Sequence, residues 1–175
     1  DSGVEHLFKL SLDPTTLIGD LDSISKKSLD EVTKNGVKIL AFDSKKDQTD
    51  FELALNYLDE AEKSKVYIIG GESGEIDHLI SIFLLIPSKS FFENIIWLYG
   101  DKRIIFRQKI ELNIKKLTKF SIIPLSDLTN LSIDGAEWNL DNKDIQFGET
   151  LTLRNSTNEE QLNIRCDKGV FALIY

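Results

Sequence analysis

The sequence predicts an α/β fold in two domains, a parallel-sheet domain over residues 1–100 and an antiparallel β domain over residues 101–175. Up to about residue 100, short apolar strands alternate with helical patterns, which predicts parallel strands with helices on both faces of the sheet. Beyond that point strand candidates follow one another, with turn signals at Asp134-Gly135, Phe147-Gly148 and Lys168-Gly169. This second pattern is typical of a small antiparallel sandwich or barrel.

The first half contains four predicted helices and four predicted strands. The helices are expected over residues 4–10, 25–35, 50–61 and 77–86, and the strands over residues 15–19, 37–42, 66–69 and 95–99. Leu29 and Val32 are expected to face inward from the second helix. Thr49 and Glu52 fit a capping box at the start of the third helix. That helix has one apolar face, formed by Phe51, Ala54, Leu55, Leu58 and Ala61.

The second half is predicted to consist of short strands without a convincing amphipathic helix. These strands are expected over residues 103–107, 120–123, 151–154, 161–165 and 170–175. No internal repeat or long linker separates the two halves, so they are expected to pack directly against each other.

Composition and charge exclude several classes of protein. A formal net charge of −8 argues against a nucleic-acid-binding protein with a broad basic surface. The single cysteine, Cys166, excludes an internal disulfide framework and fits a cytoplasmic location. No apolar run reaches the roughly 18 residues of a membrane span, and no signal peptide is visible. Because the chain starts at Asp1 and contains no Met, it is expected to be a fragment that lacks an upstream strand.

The first motif with potential chemistry is Gly19-Asp20-Leu21-Asp22-Ser23, which follows a short apolar run. In an extended strand residues i and i+2 point to the same side, so Asp20 and Asp22 are expected to face one ligand. Mg²⁺ is usually held by one or two carboxylates together with substrate phosphates. The alternative is a polar turn in which Asp22 or Ser23 caps the next helix.

The second motif is Lys46-Asp47-Gln48-Thr49-Asp50, at the end of a charged loop. Here Asp47 and Asp50 are candidate metal ligands or bases, and Lys46 is placed to touch a phosphate. The alternative is a solvated loop that ends in a helix cap.

The third motif runs from Gly70-Gly71 to Asp77-His78, after a buried strand. Glycines let a ligand approach the backbone closely, and the N-terminus of the following helix favours anions. The alternatives are a first-turn carboxylate that complements the helix dipole for Asp77 and a polar residue on a buried helix for His78. Because ligands gather beyond the carboxyl ends of parallel strands, all three motifs are expected to converge on one crevice.

Taken together and in this order, the motifs resemble those of the thiamine pyrophosphokinases. That family carries Gly-Asp-x-Asp-Ser, then Asp-x-Thr-Asp at a helix start, then Gly-Gly followed by an Asp-His helix start. Asp1-Ser2-Gly3 resembles the remnant of an Ala-Asp-Gly-Gly motif. The C-terminal half matches at residues 121–124, 135–140, 147–148 and 156–159, so that the resemblance covers essentially the whole chain.

The resemblance implies a homodimer with thiamine bound at the subunit interface. Each subunit has a Rossmann-like α/β domain that binds Mg²⁺-ATP and a C-terminal β-sandwich. The implied reaction moves the diphosphate group of ATP onto the hydroxyl of thiamine and releases AMP. It is catalysed mainly by positioning and by charge stabilisation through metal ions.

The implied site residues fall into two groups. Asp20, Asp22 and Asp50 are expected to hold Mg²⁺, and Asp77 or Asp50 is expected to accept the hydroxyl proton. The residues expected to bind the nucleotide or thiamine are Asp1, Lys46, Asp47, Gly70, Gly71, His78, Trp138, Ser156, Thr157 and Asn158. Trp138 is expected to stack on a thiamine ring, with core packing as the alternative role.

The chain departs from the family pattern at Glu75, where the family typically has Arg. Either Lys45, Lys46 or another cation replaces that charge, or phosphate binding is weaker. Because of this departure, the first alternative function is a protein that binds thiamine or a nucleotide but does not catalyse the reaction. A related pyrophosphokinase with another hydroxymethyl acceptor is a second alternative, and the presence of Trp138 argues against it. A third is a two-domain protein whose acidic loops bind Ca²⁺ for stability.

Overall fold

The computed structural model describes residues 3–59, 65–72 and 74–175, and its fold is mixed α/β. The chain forms two compact units, Asp1–Lys63 and Ser64–Tyr175. Ala61, predicted on the apolar helix face, lies outside the described residues, as does Ser73 of the glycine-rich turn.

The first unit contains a parallel pair of strands with helices before, between and after them. Its described elements are α1 (Val4–Lys9), β1 (Thr16–Gly19), α2 (Lys26–Lys34), β2 (Lys38–Ala41) and α3 (Asp50–Asp59). Strands β1 and β2 pair in parallel, with Gly19 opposite Ala41. The loops after these two strands therefore leave the sheet from the same edge, as predicted from the alternation of strands and helices.

Side-chain caps fix where the helices of this unit begin. Ser25 caps α2, since its Oγ accepts the backbone N–H of Ser28 at 3.2 Å. The Oγ1 atom of Thr49 accepts the N–H of Glu52 at 3.2 Å, which confirms the Thr49 half of the predicted capping box. The Glu52 carboxylate accepts a hydrogen bond from the side chain of Gln48 at 3.0 Å.

A small apolar core holds the first unit together. Val4, Leu17, Ile24 and Val32 are buried in one cluster. Leu29 packs against this cluster, so that both residues predicted to face inward from α2 do so. The β1 strand and helix α2 are thereby fixed to each other, and this places the loop between them.

The second unit combines one long helix with ten strands in its described part. Its elements are β3 (Val66–Ile69), α4 (Ile76–Leu85), 3₁₀ turns at Ile86–Ser88 and Phe92–Asn94, β4 (Ile95–Tyr99), β5 (Lys102–Arg107), β6 (Lys109–Asn113), β7 (Lys119–Pro124), β8 (Leu128–Asp134), β9 (Leu140–Ile145), β10 (Asn155–Ser156), β11 (Gln161–Arg165) and β12 (Phe171–Ile174).

Two sheets form from these strands. The larger has the order β10-β7-β12-β5-β4-β3, and the smaller has the order β6-β11-β8-β9. Strands β3 and β4 are parallel, whereas β4 pairs with β5 in antiparallel fashion through a tight turn at Gly100. This pairing joins β3 and β4 to the C-terminal strands, so that β3 and β4 belong to the second compact unit, Ser64–Tyr175. A single parallel sheet over the first 100 residues is not confirmed.

Both sheets contribute to the core of the second unit. Its buried cluster draws on β5, β7 and β12 of the larger sheet and on β8 and β11 of the smaller one, at Ile105, Phe120, Ile122, Phe171, Leu173, Leu131, Ile133, Leu162 and Ile164. Alternation of buried and exposed residues along β7 and β11 places every second side chain in this core. The core keeps β7 and β10 in fixed positions at one end of the larger sheet.

The strand predicted over residues 151–154 is wrong. This segment is a turn that is anchored by Thr152, whose Oγ1 donates to the carbonyl of Ile122 at 2.8 Å. The N–H of Ile122 in turn donates to the carbonyl of Thr152 at 3.0 Å. A turn with one buried residue satisfies its backbone in this way without strand pairing.

Helix α4 exposes much of its apolar surface. Of its ten described residues none is buried, and Ile76, Ile80 and Leu84 are 68%, 52% and 60% exposed. The alternative that His78 is a polar residue on a buried helix therefore does not apply. In the described part of the chain, no helix has the length and apolarity that crossing a membrane requires.

Candidate active site

The two aspartates after β1 meet through a turn and not through an extended strand. The strand ends at Gly19, and Leu21 has a left-handed backbone with φ 65°. This turn lets the N–H of Asp22 donate to the Oδ1 atom of Asp20 at 3.3 Å. The prediction that Asp20 and Asp22 point to the same side of an extended strand is therefore wrong, because the strand ends before them. A left-handed leucine costs on the order of 1 kcal/mol or more, which is typical of backbone at functional sites.

Lys46 connects the loops after β1 and β2. Its Nζ atom lies 2.9 Å from Oδ2 of Asp20 and 3.0 Å from Oδ1 of Asp50, the first residue of α3. These three side chains are shielded from solvent, with 16%, 13% and 26% of their surface exposed. The structure thus brings together residues from three segments of the first unit. We call Asp20, Asp22, Lys46 and Asp50 the acidic cluster.

The charges of the acidic cluster influence one another strongly. The hydrogen bond from Lys46 holds the pKa of Asp20 below its ordinary value, with help from the N–H of Asp22. The carboxylate of Asp20 raises the pKa of Asp22, and that of Asp50 adds to the effect by repulsion. Both Asp20 and Asp50 raise the pKa of Lys46, which is therefore a cation throughout the neutral range.

The donor set of the acidic cluster fits a hard cation. Carboxylate oxygens are the ligands that Mg²⁺ prefers, and repulsion between Asp20 and Asp22 is relieved when a cation binds between them. Within residues 3–59, 65–72 and 74–175, no three Asp, Glu, His or Cys side chains are already arranged around one point. In this conformation the ammonium group of Lys46 is paired with two of the carboxylates, those of Asp20 and Asp50.

Replacing Asp22 by Asn is expected to keep or raise the thermal unfolding temperature in a metal-free buffer at pH 7. Since its pKa is raised in the folded protein, the ionised side chain opposes folding there, and a neutral amide removes that repulsion. Asp30→Asn, on the exposed side of α2, is the control. A clear fall in the unfolding temperature of Asp22→Asn alone contradicts the described charge balance.

The glycine pair after β3 rests on a buried tryptophan. Gly70 and Gly71 have φ values of 100° and 101°, which only glycine adopts readily. The Nε1 atom of Trp97 donates to the carbonyl of Gly70 at 2.8 Å, and a Cβ atom on Gly71 would lie 3.1 Å from the Trp97 ring. Parallel pairing of β3 with β4 places Trp97 beside this turn. Gly71 is therefore held in place beside Trp97 and is exposed, whereas Gly70 is buried and both of its backbone groups are already hydrogen-bonded.

The remaining predicted nucleotide-site residues have varied surroundings. Asp77 accepts hydrogen bonds from the N–H of His78 at 2.8 Å and from its ring at 3.1 Å, and these bonds lower the pKa of Asp77. Glu75 is the N-cap residue of α4 but makes no side-chain capping bond. Asp47 is exposed, and Asp1 lies outside the described residues.

A groove in the second unit contains the predicted thiamine-stacking residue. It has a volume of about 440 Å³ and runs beside β7 and β10, with Lys102, Lys119, Ser121, Trp138, Arg154 and Ser156 among its lining residues. Trp138 is 59% exposed, so the alternative of core packing does not apply to it. The hydroxyl of Ser156 donates to the Glu137 carboxylate at 2.6 Å.

Thr157 and Asn158 differ from Ser156 in what they offer a ligand. Thr157 is completely buried, and its Oγ1 donates to the carbonyl of Lys115 at 2.7 Å and accepts the N–H of Thr118 at 3.0 Å. Both uses of this hydroxyl stabilise the fold, which argues against the predicted contact with thiamine. Asn158 has an exposed side chain, and its N–H donates to the carbonyl of Gly135 at 2.8 Å.

Sequence reasoning missed two residues that shape these regions, Trp97 and Asn155. Trp97 could have been found from the parallel register of β3 and β4, which sets Ile68 opposite Trp97. Asn155 is a buried polar residue, 6% exposed, whose side chain contacts the backbone of Trp138. No local pattern marks Asn155, because its partner lies 17 residues away in the sequence.

The fold and the acidic cluster define an α/β protein with a carboxylate site suited to a hard cation. Two family models match the chain in succession. The model described as thiamin pyrophosphokinase, catalytic domain, covers residues 1–97, and the model described as thiamin pyrophosphokinase, vitamin B1 binding domain, covers residues 107–171. The chain belongs to the thiamine pyrophosphokinase family.

Individual relatives agree with this assignment. The thiamine pyrophosphokinase of Bacillus subtilis (strain 168) is 28% identical over 180 residues, which covers 99% of this chain and 84% of the relative. The crystal structure of a thiamin pyrophosphokinase family protein from Enterococcus faecalis aligns with a TM-score of 0.85 at 23% identity, over 99% of this chain and 84% of that one. Yeast thiamin pyrophosphokinase aligns with a TM-score of 0.72 at 17% identity, over 97% and 71%. These two structures support the fold.

Proposed function

We propose that this enzyme transfers the diphosphate group of ATP to the hydroxyl group of thiamine, giving thiamine diphosphate and AMP. The observation that carries the proposal is the match of both family models, in chain order, to residues 1–97 and 107–171. The acidic cluster supplies carboxylates of the kind that a phosphoryl-transfer enzyme needs. Another acceptor, a protein without turnover and a structural Ca²⁺ site are not favoured by these matches.

The chemistry requires one bond to form and one to break at the β-phosphorus of ATP. The hydroxyl oxygen of thiamine bonds to this phosphorus, and the bond to the oxygen shared with the α-phosphorus breaks. AMP leaves with that oxygen, and the hydroxyl proton passes to a base. Asp50 and Asp77 remain the two proposed acceptors. The lowered pKa of Asp77 makes it ionised at neutral pH, as a base must be, although a weak one.

Asp20, Asp22 and Asp50 are the proposed ligands of Mg²⁺. When bound, this ion offsets the charge that develops on the phosphate oxygens. Lys46 is proposed to exchange its contacts with Asp20 and Asp50 for a phosphate oxygen of the nucleotide. The support for this exchange is its position, since its ammonium group already lies between the two carboxylates. Lys46 is thereby proposed to supply the positive charge that the family typically has in an Arg at the position of Glu75.

The nucleotide is proposed to contact the turn at Gly70 and Gly71, where Gly71 is exposed and the buried Gly70 is fixed to Trp97. Asp47 and His78 are proposed as further nucleotide contacts, on the strength of the motif resemblance and their exposed positions. Asp1 belongs to the same proposal, again from the motif alone.

The proposed domain division follows function, with a Rossmann-like α/β domain over residues 1–100 and a β-sandwich thiamine domain over residues 101–175. The family models support it, because the first ends at residue 97 and the second begins at residue 107. Trp138, Ser156 and Asn158 are the proposed thiamine contacts.

The protein is further proposed to be a cytoplasmic homodimer. This proposal is supported by the lone Cys166 and by the exposed apolar residues of α4, a type of surface that interfaces bury.

A direct assay tests the proposed reaction. The protein is incubated with ATP, Mg²⁺ and thiamine, and the nucleotides and thiamine esters are separated and quantified. AMP and thiamine diphosphate are expected in equal amounts, and neither is expected when thiamine or Mg²⁺ is omitted. Formation of ADP with thiamine monophosphate, or no AMP at any Mg²⁺ concentration, contradicts the proposed function.

A further inference from the structure

Asn155 is a buried amide with an unusual set of partners. It begins β10, at the end of the larger sheet of the second unit, and is only 6% exposed. A buried amide that lacks hydrogen bonds is costly, so its partners indicate what it does. These partners are backbone groups of Trp138 and Ser156, two residues that line the groove beside β7 and β10.

The amide of Asn155 holds the backbone of Trp138 from both sides. Its Oδ1 atom accepts the N–H of Trp138 at 3.2 Å, and its Nδ2 atom donates to the carbonyl of the same residue at 2.8 Å. The Oδ1 atom also accepts the N–H of Ser156 at 2.8 Å. Three of the four hydrogen bonds that an Asn side chain can make are thus directed to the groove-lining backbone.

Trp138 needs such a support because its ring does not lie in the core. The residue is 59% exposed, and apolar packing therefore does little to fix its direction. Its neighbours in the turn have supports of their own. The N–H of Glu137 donates to the carbonyl of Ser156 at 2.8 Å, and the N–H of Ala136 donates to the side chain of Asn139 at 2.9 Å. A change at Asn155 therefore removes two hydrogen bonds to the backbone of Trp138 and one to that of Ser156.

We infer that Asn155 is a positioning residue that fixes the backbone of Trp138, so that the indole ring stands over the groove ready to stack on thiamine. The inference rests on the proposed function for the identity of the ligand. Asn155 also lines the groove, but three of the four hydrogen bonds of its amide are made to the backbone, so its main role is assigned to support. Its effect on the substrate passes through Trp138.

A double-mutant cycle between Asn155 and Trp138 tests the inference. Asn155→Ala is expected to raise the KM for thiamine roughly tenfold, with kcat changed less than about twofold, because a loosened ring stacks less well. In a Trp138→Ala background the same substitution is expected to have no further effect on the KM. Asn139→Ala, which removes a comparable bond in the same turn, is expected to leave the KM for thiamine near that of the original protein.

A conservative variant and a spectroscopic readout separate positioning from simple loss of stability. Asn155→Asp keeps the Oδ1 acceptor and the size of the side chain but sets an oxygen against the Trp138 carbonyl in place of the Nδ2 donor, so it is expected to raise the KM for thiamine about as much as Asn155→Ala. The chain has two tryptophans, and Trp97 is fully buried, so acrylamide quenching reports on Trp138. The signal is assigned by comparison with Trp138→Phe. Quenching of Trp138 is expected to change in Asn155→Ala and to stay unchanged in Asn139→Ala.

Two outcomes overturn the inference. One is a rise in KM from Asn155→Ala that is equally large in the Trp138→Ala background. The other is unchanged Trp138 quenching in a folded Asn155→Ala protein. The quenching experiment contains no thiamine, so it still decides the role of Asn155 if the proposed reaction is not found. Absence of thiamine turnover in the unsubstituted protein, in contrast, counts against the proposed function alone.

Discussion

Asp20→Asn is expected to lower kcat for thiamine diphosphate formation by at least about 100-fold while the protein stays folded. The hydrogen bonds from Lys46 and from the N–H of Asp22 lower the pKa of Asp20 and so favour its ionised form. An amide keeps the size of the side chain and can still accept from that N–H, but it is a poor ligand for Mg²⁺ and carries no charge. The measurement is steady-state kinetics at saturating ATP and thiamine over a range of Mg²⁺ concentrations.

The same variant makes a separate prediction about stability and pH. Because its pKa is lowered in the folded protein, ionised Asp20 contributes stability above its ordinary pKa, and this contribution is lost as the pH falls through the folded value. Asp20→Asn is therefore expected to unfold at a slightly lower temperature at pH 7, with a shallower loss of stability toward acid. Asp30→Asn, also on the first unit, is the control for a removed surface charge.

Near-normal turnover by Asp20→Asn, at Mg²⁺ concentrations that support the unsubstituted protein, shows that Asp20 does not hold the metal. If Asp20→Asn does not fold, its loss of turnover does not test whether Asp20 holds the metal. In that event Asp50→Asn takes its place, because Asp50 contacts the same ammonium group from α3.

Gly135→Ala is expected to destabilise the protein by more than about 3 kcal/mol. Gly135 has φ +85°, and an added Cβ atom would lie 2.0 Å from the carbonyl oxygen of Gln161 on β11. Gly135 cannot move freely, since its carbonyl accepts the N–H of Asn158 at 2.8 Å, and Gln161 is held in the sheet opposite Asn113 of β6. The free energy of unfolding is measured by urea titration followed by circular dichroism.

Gly148→Ala is the matched control for this effect. Gly148 has nearly the same backbone angle, φ +89°, but nothing lies within 4 Å of the added Cβ position. It measures the cost of a left-handed alanine alone, expected to be about 1–2 kcal/mol. If the two variants lose equal stability, the close contact between Gly135 and Gln161 does not exist in solution.

The sequence was a good guide to local elements in the first unit. Alternating apolar segments predicted β1 and β2 as a parallel pair, and Ser25 and Thr49 cap the helices that were expected there. These features depend on neighbouring residues and on hydrophobic periodicity, which a sequence shows directly. Strand β9 was missed because four of its six residues are exposed and polar, so it has no apolar alternation to detect.

The candidate site shows a different limit. Asp20 and Asp22 were expected side by side on a strand, and they meet instead through the left-handed Leu21. Lys46 was expected on a phosphate, and the structure pairs it with Asp20 and Asp50. Trp97 and Asn155 act through hydrogen bonds to residues 27 and 17 positions away. Contacts over such separations follow from the packing of the whole unit, and no local pattern encodes them.

Metal binding in the presence of an uncleavable nucleotide tests the central claim most directly, that carboxylates from separate loops share a divalent ion beneath the triphosphate. Mn²⁺ replaces Mg²⁺ as the spectroscopic probe, and α,β-methylene ATP replaces ATP because its α,β bridge cannot break. Electron paramagnetic resonance measures free Mn²⁺ as it is titrated with protein and the analogue. We expect Mn²⁺ and the analogue to bind together, and to bind at least tenfold more weakly to Asp20→Asn and Asp50→Asn than to Asp30→Asn. Equal Mn²⁺ affinity in all three variants would contradict a shared carboxylate site.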